Sequence, residues 1–195
     1  STLMILYSGD HKNHIPLYID HLDSAGNERH SWADVLYTGG YMANGIKSVS
    51  CPTDVGPITH DNTKTGWMKF IYGVTQSSSA GAQVYQPKLY SFANSNCTRT
   101  LVTGRVKAPA SLMLMGDSFE TGGKRQFFAI NRNGSPSLHL RHQSRMHLGL
   151  LDGHAGNFAP GDAMRQLKAG KADYNTAGDL CILMQNPTAY YFGKW

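Results

Sequence analysis

The sequence predicts an α+β domain in which the end of an N-terminal helix packs on an antiparallel β-sheet with long loops. Three observations carry this. Runs with strand character recur at 67–74, 83–92, 99–106, 111–117 and 125–131, separated by turn formers such as SSSAGA at 77–82, ANSN at 93–96 and ETGG at 120–123. Helical patterning is confined to a few short places, so the strands are not interleaved with crossover helices as a doubly wound sheet requires. With 21 Gly among 195 residues and only 16% charged side chains, the composition suits a loop-rich, strand-rich domain better than a helical bundle.

At this length the chain reads as a single domain over 1–195, long enough to bury a core. Its parts are a helix end at 1–8, a loop-rich region at 9–66, a sheet region at 67–159, and a C-terminal helix and strand at 160–195. Leu3-Met4-Ile5-Leu6-Tyr7 is an apolar stub that looks like the end of a helix whose beginning is missing. The segment 9–31 carries Pro16, four His and four acids with little periodicity, and reads as an irregular connection. Ser31 is a natural N-cap for a short helix from Trp32 to Tyr37, and Gly39-Gly40 ends it. Pro52 removes an N–H and forces Cys51 out of helical geometry, so Cys51-Pro52-Thr53-Asp54 marks a strand end, a structural corner rather than a ligand site.

The stretch RHQSRMHLGLLDGHAGNF at 141–158 predicts a hairpin. Met146, Leu148 and Leu150 alternate with His147, Gly149 and Leu151, the period of a strand with one buried face. Asp152-Gly153 supplies the turn, because Asp bonds its own backbone and Gly accepts positive φ, and His154 to Phe158 returns as the partner strand. Pro160 to Ala169 is the second clear helix, with Asp162 near its N-terminus and Gly170 as its stop. Leu180 to Met184 is one more buried strand, followed by an aromatic tail.

His142, nine residues, then Asp152-Gly153 and His154 resemble the signature of the "H-X9-DG" prepilin-processing-associated proteins, bacterial relatives of the type II secretion pseudopilins. Further pieces follow in the family's order. SGDHKNHIP at 8–16 is similar to the segment leaving the pilin helix, SVSCPTD at 48–54 (with Cys51, Pro52 and Asp54) to the Cys-Pro element, WMKFIYGV at 67–74 to a Tyr-Gly strand, and VKAPASLMLMGDS at 106–118 (with Asp117) to the Asp-Ser element. The resemblance implies a pilin-like fold and a structural, non-enzymatic role. After processing by a prepilin peptidase, subunits of this family assemble through N-terminal helices into a fibre serving type II-like secretion. Its expected partners are other pilin-like subunits and secretion-machinery proteins. Its expected place is the bacterial inner membrane, anchored through the missing N-terminal helix, with the globular domain in the periplasm or at the cell surface.

Other chemistries have weaker signals. Gly116-Asp117-Ser118 after an apolar strand resembles the nucleophile block of the GDSL esterases, with Ser118 attacking and Asp152 and His154 nominated to complete a triad. The block lies past the middle of the chain, the Asp–His spacing differs from that family's, and the Asp-Gly turn breaks the alignment of Asp152 with His154. His142, Asp152 and His154 are a mixed donor set that suits a transition metal. Calcium, which major pseudopilins bind, needs a carboxylate-rich loop that is not recognisable here. The structural alternative is that Asp152 caps the turn and His142 bonds across the sheet, so no catalytic, cofactor or metal residue is assigned. His11, His14, His21 and His30 with Asp10, Asp20 and Asp23 show no ligand spacing and read as loop residues.

Three Trp, ten Tyr and seven Phe allow a carbohydrate-binding module, although aromatics in strands are more often core. The net charge of +5 is spread singly over the chain, unlike a nucleic-acid interface. Cys51, Cys97 and Cys181 form no Cys-x-x-Cys pair, which argues against an ordinary zinc framework. One disulfide is compatible with this count, and three semi-buried thiols are the plainer reading.

Overall fold

Helix α1 (Thr2–Asp10) buries Met4 and Tyr7 and turns Leu6 outward, 57% exposed. In the computed structural model the described residues are 2–21, 28–42, 49–52, 71–75, 85–87, 97–120, 125–130, 137–168, 180–183 and 190–193. Asp54, the loop at 54–66 and most of the strand read at 67–74 lie outside them. Tyr7 stacks on His11 with ring centroids 3.8 Å apart, and Tyr41 closes over this pair and donates its hydroxyl to Asp10 at 2.7 Å. That hydrogen bond, with burial adding to it, raises Tyr41 to a pKa of about 12.

Lys12 and Asn13 both take positive φ and turn the chain from α1 directly into strand β1 (His14–His21). β1 and β2 (Glu28–Ser31) overturn the irregular connection read over 9–31. The two strands pair antiparallel, and β1 also pairs with β5 (Cys97–Val102), which in turn holds β4 (Tyr85–Pro87). Pro16 lies beyond the end of the β1–β2 register and beside a register shift against β5, where its missing N–H breaks the ladder least. Ile15 and Leu17 point into the core.

Helix α2 (Trp32–Thr38) begins as expected at Ser31. The Ser31 hydroxyl accepts from the Asp34 N–H, and the Asp34 carboxylate accepts from the Ser31 N–H at 2.7 Å. This reciprocal capping box is fully buried, so it also satisfies polar groups that water cannot reach.

A five-stranded sheet runs in the order β11 (Ala155–Phe158), β10 (Met146–Leu150), β6 (Met113–Gly116), β3 (Gly73–Thr75) and β8 (Ala129–Ile130). A four-stranded sheet runs β13 (Tyr190–Gly193), β12 (Leu180–Leu183), β9 (Ser137–His139) and β7 (Ser118–Phe119). Helix and sheet are mixed as expected, but the sheets are not wholly antiparallel, since β3 pairs with β8 and β9 with β12 in parallel. Several strands are also shorter than their apolar runs. The run at 99–106 ends in a 3-10 turn at Thr103–Arg105, and that at 111–117 starts in another at Pro109–Ser111. Pro109 and Gly104 explain the breaks, since neither favours an unbroken ladder.

The expected hairpin forms, with β10 and β11 in register from Met146 opposite Phe158 to Gly149 opposite Ala155. Helix α3 (Pro160–Lys168) follows and lays Ala163, Met164 and Leu167 on the core. All three helices contribute to one cluster of buried side chains with Ile71, Leu114, Ile130, Leu138 and Leu148.

Candidate functional site

Asp117 occupies the single residue between β6 and β7, where the chain leaves the five-stranded sheet and enters the four-stranded one. Its backbone is held on both sides: its N–H donates to the His147 carbonyl and its carbonyl accepts from the His139 N–H, each at 3.0 Å. The side chain is therefore fixed, and it is completely buried. Oδ2 accepts the His147 N–H at 2.7 Å, while Oδ1 has no hydrogen-bond partner. A buried carboxylate oxygen without a partner is costly unless something neutralises it.

Two imidazoles face this carboxylate. His142 Nε2 lies 3.5 Å from Asp117 Oδ2, and His147 Nδ1 lies 3.4 Å from the same oxygen. The two rings are tilted against each other, with centroids 4.2 Å apart. His142 is placed by a two-residue turn in which it exchanges both backbone hydrogen bonds with Arg145. Gln143 and Ser144, the central residues, have φ of 50° and 63°, the left-handed pair of a type I′ turn.

Cys51 completes the group. Its Sγ lies 3.4 Å from His142 Nε2, and its N–H donates to Gln126 Oε1 at 2.9 Å. Ligand atoms of Cys51, Asp117 and His142 all fall within 4.8 Å of one another. Next to them, burial pushes the Tyr72 hydroxyl up to about 12, with the Asp117 and Cys51 charges adding and Arg141 opposing. His147 is the half-exposed member and also lines a groove of about 330 Å³ with Tyr72, Met115 and Asn157.

Sequence reasoning grouped His142 with Asp152 and His154; the structure groups it with Asp117, His147 and Cys51. Asp152 and His154 are paired with each other on the exposed turn, through His154 Nδ1 and Asp152 Oδ2 at 2.7 Å and the His154 N–H on Oδ1 at 3.0 Å. The side-chain hydrogen bond from His154 holds the Asp152 carboxyl below its usual range, against a smaller opposing desolvation. Gly153 takes φ +95°, as an Asp-Gly turn requires. Cys51, read as a corner, points its sulfur at an imidazole. His147 was read only as the outer face of a strand. Its spacing from His142 is the available signal, but no Asn-Gly or similar pair marks the two-residue turn between them.

Ser118 is fully buried, and its hydroxyl donates to the Phe127 carbonyl and accepts the Phe127 N–H. The nominated serine is thus tied to backbone, and its nominated acid and base are tied to each other. Tyr37 is an exposed aromatic side chain, and among the described residues no helix is long and apolar enough to cross a membrane.

No family model matches this chain, and neither a curated protein nor a solved structure does.

Proposed function

We propose that the chain is the globular part of a pilin-like structural subunit that assembles into a periplasmic or surface fibre for type II-like secretion. One observation supports this reading above others: three separate pieces of the resemblance, Cys51-Pro52, Asp117-Ser118 and His142, converge on one cluster although they are far apart in the chain. A shared pattern whose parts meet in space behaves as a determinant of the fold. In that cluster Nε2 of His142 faces both the Cys51 sulfur and the Asp117 carboxylate.

In this reading α1 is the distal end of the assembly helix, and the domain sets lateral packing between subunits. The test is the N-terminus of the protein extracted from its native membrane. The expected result is a processed leader, a methylated Phe, and roughly 20 apolar residues running into Leu3-Met4-Ile5-Leu6-Tyr7. A conventional secretory leader cleaved next to Ser1 would overturn the proposal.

A further inference from the structure

Three side chains with metal-binding atoms, Cys51, His142 and His147, are gathered around the buried carboxylate of Asp117. We propose that Cys51, Asp117 and His142, whose ligand atoms all lie within 4.8 Å of one another, hold one divalent transition-metal ion as a structural clamp, with zinc the best fit, and that the half-exposed His147 beside Asp117 turns in as its fourth ligand.

The distances have the right scale. With metal–sulfur bonds of about 2.3 Å and metal–nitrogen or –oxygen bonds of about 2.0–2.2 Å, the edges of a tetrahedral site are about 3.3–3.6 Å. Sγ of Cys51 to Nε2 of His142 is 3.4 Å, Nε2 to Oδ2 of Asp117 is 3.5 Å, and Oδ2 to Nδ1 of His147 is 3.4 Å. These are ligand-to-ligand edges, and for pairs involving a ring nitrogen they are long for strong hydrogen bonds. That one nitrogen of His142 points at both sulfur and carboxylate is awkward for proton transfer but natural if its lone pair meets a cation lying between them.

The charge balance points the same way. Asp117 is wholly buried, and the one backbone N–H on its Oδ2 does not offset a full negative charge. An ion with two positive charges offsets one carboxylate and one thiolate, leaving two neutral imidazoles. Sulfur with imidazole selects zinc or a similar borderline metal over calcium or magnesium, which take oxygen shells.

The ligands are pre-positioned by backbone bonds that would act as the outer shell. Gln126 holds the Cys51 N–H, Arg145 brackets His142, and His139 and His147 bracket Asp117. The bound ion would tie the segment 49–52 to the β6–β7 junction and to the β10 hairpin. With His147 turned in from the groove, four protein ligands close the shell and no substrate position is needed.

This inference does not rest on the assembly reading, because it concerns the folded domain alone. Its test is cobalt titration of the 195-residue chain after chelator treatment, followed by absorption. One Co(II) per chain is expected, with intense tetrahedral visible bands and a near-ultraviolet thiolate-to-cobalt charge-transfer band. Cys51→Ser should lose the charge-transfer band, and His142→Gln should lose stoichiometric binding. Zinc should raise the melting temperature of the parent and not of His142→Gln. Asp117→Asn is a poor probe, since Asp117 also holds the His147 N–H and the variant risks misfolding. Absence of binding, six-coordinate cobalt without a thiolate band, or spectra unchanged in Cys51→Ser would each overturn the proposal.

Discussion

Asp152 and Gly153 divide the work of the hairpin turn between a side chain and a backbone angle. The Asp152 carboxylate accepts from both the His154 backbone and its ring, and its acidity is increased by that ring contact. A carboxyl with a depressed folded-state value stabilises fully above its unfolded value, about 3.9, and loses that contribution as pH falls through the folded value. The stability difference between the parent and Asp152→Asn is therefore expected to be constant near neutrality and to close in acid; urea midpoints measured from pH 6 downward read it. A difference that stays constant into strong acid would show that the carboxylate charge is not what matters. Gly153 has φ +95°, and a Cβ there would meet only Ile5 Cδ1 at an ordinary 3.7 Å. The cost of Gly153→Ala is thus backbone strain alone, about 1 kcal/mol, or a fall of roughly 2–4 °C in melting temperature.

Among the elements, the turn at 142–145 is the least expected from its residues. Gln143 and Ser144 both hold positive φ, a conformation that Asn-Gly adopts far more readily. The double substitution Gln143→Asn, Ser144→Gly should stabilise the domain by about 1 kcal/mol, because it relieves two left-handed residues while keeping the turn type. Chemical denaturation of the double variant measures it, and a loss of stability would mean that the side chains of Gln143 or Ser144 do more than turn the chain. β10 is legible in the sequence, and the turn that leads into it is not. The alternation of Met146, Leu148 and Leu150 is a strong local pattern, whereas nothing local marks Gln-Ser as a type I′ pair. β1 is hidden in the sequence for a different reason. Ile15, Leu17 and Ile19 alternate in HIPLYIDH, but the flanking His and Asp residues and Pro16 masked that period.

At the scale of the molecule, the joint between the two sheets around Asp117 and Ser118 is packed without slack. A Cβ on Gly73 would lie 2.6 Å from Ile130 Cγ1 and 2.7 Å from Ser118 Cβ, with the Phe127 carbonyl oxygen 3.0 Å away. Gly73→Ala should cost about 1–3 kcal/mol, since the atoms that must yield are a buried isoleucine γ-carbon, a β-carbon and a carbonyl rather than free side-chain ends. A calorimetric melt coinciding with the parent's would show that the joint relaxes freely. The same tightness holds the buried carboxylate beside its two imidazoles.

Local chemistry was enough to place the N-cap of α2, the Asp-Gly hairpin, α3 and strand β12, because each depends on residues within a few positions of one another. Strand partners, the parallel pairs β3–β8 and β9–β12, and the short length of several strands depend on which edges meet, and no local period encodes that. The cluster is the clearest case. Every one of its residues is visible in the sequence, but Cys51, Asp117 and the His142–His147 hairpin become neighbours only when two sheets meet at one residue. Sequence spacing therefore grouped His142 with Asp152, whereas folding set it against Asp117, because the contact is made by packing between sheets and not by distance along the chain.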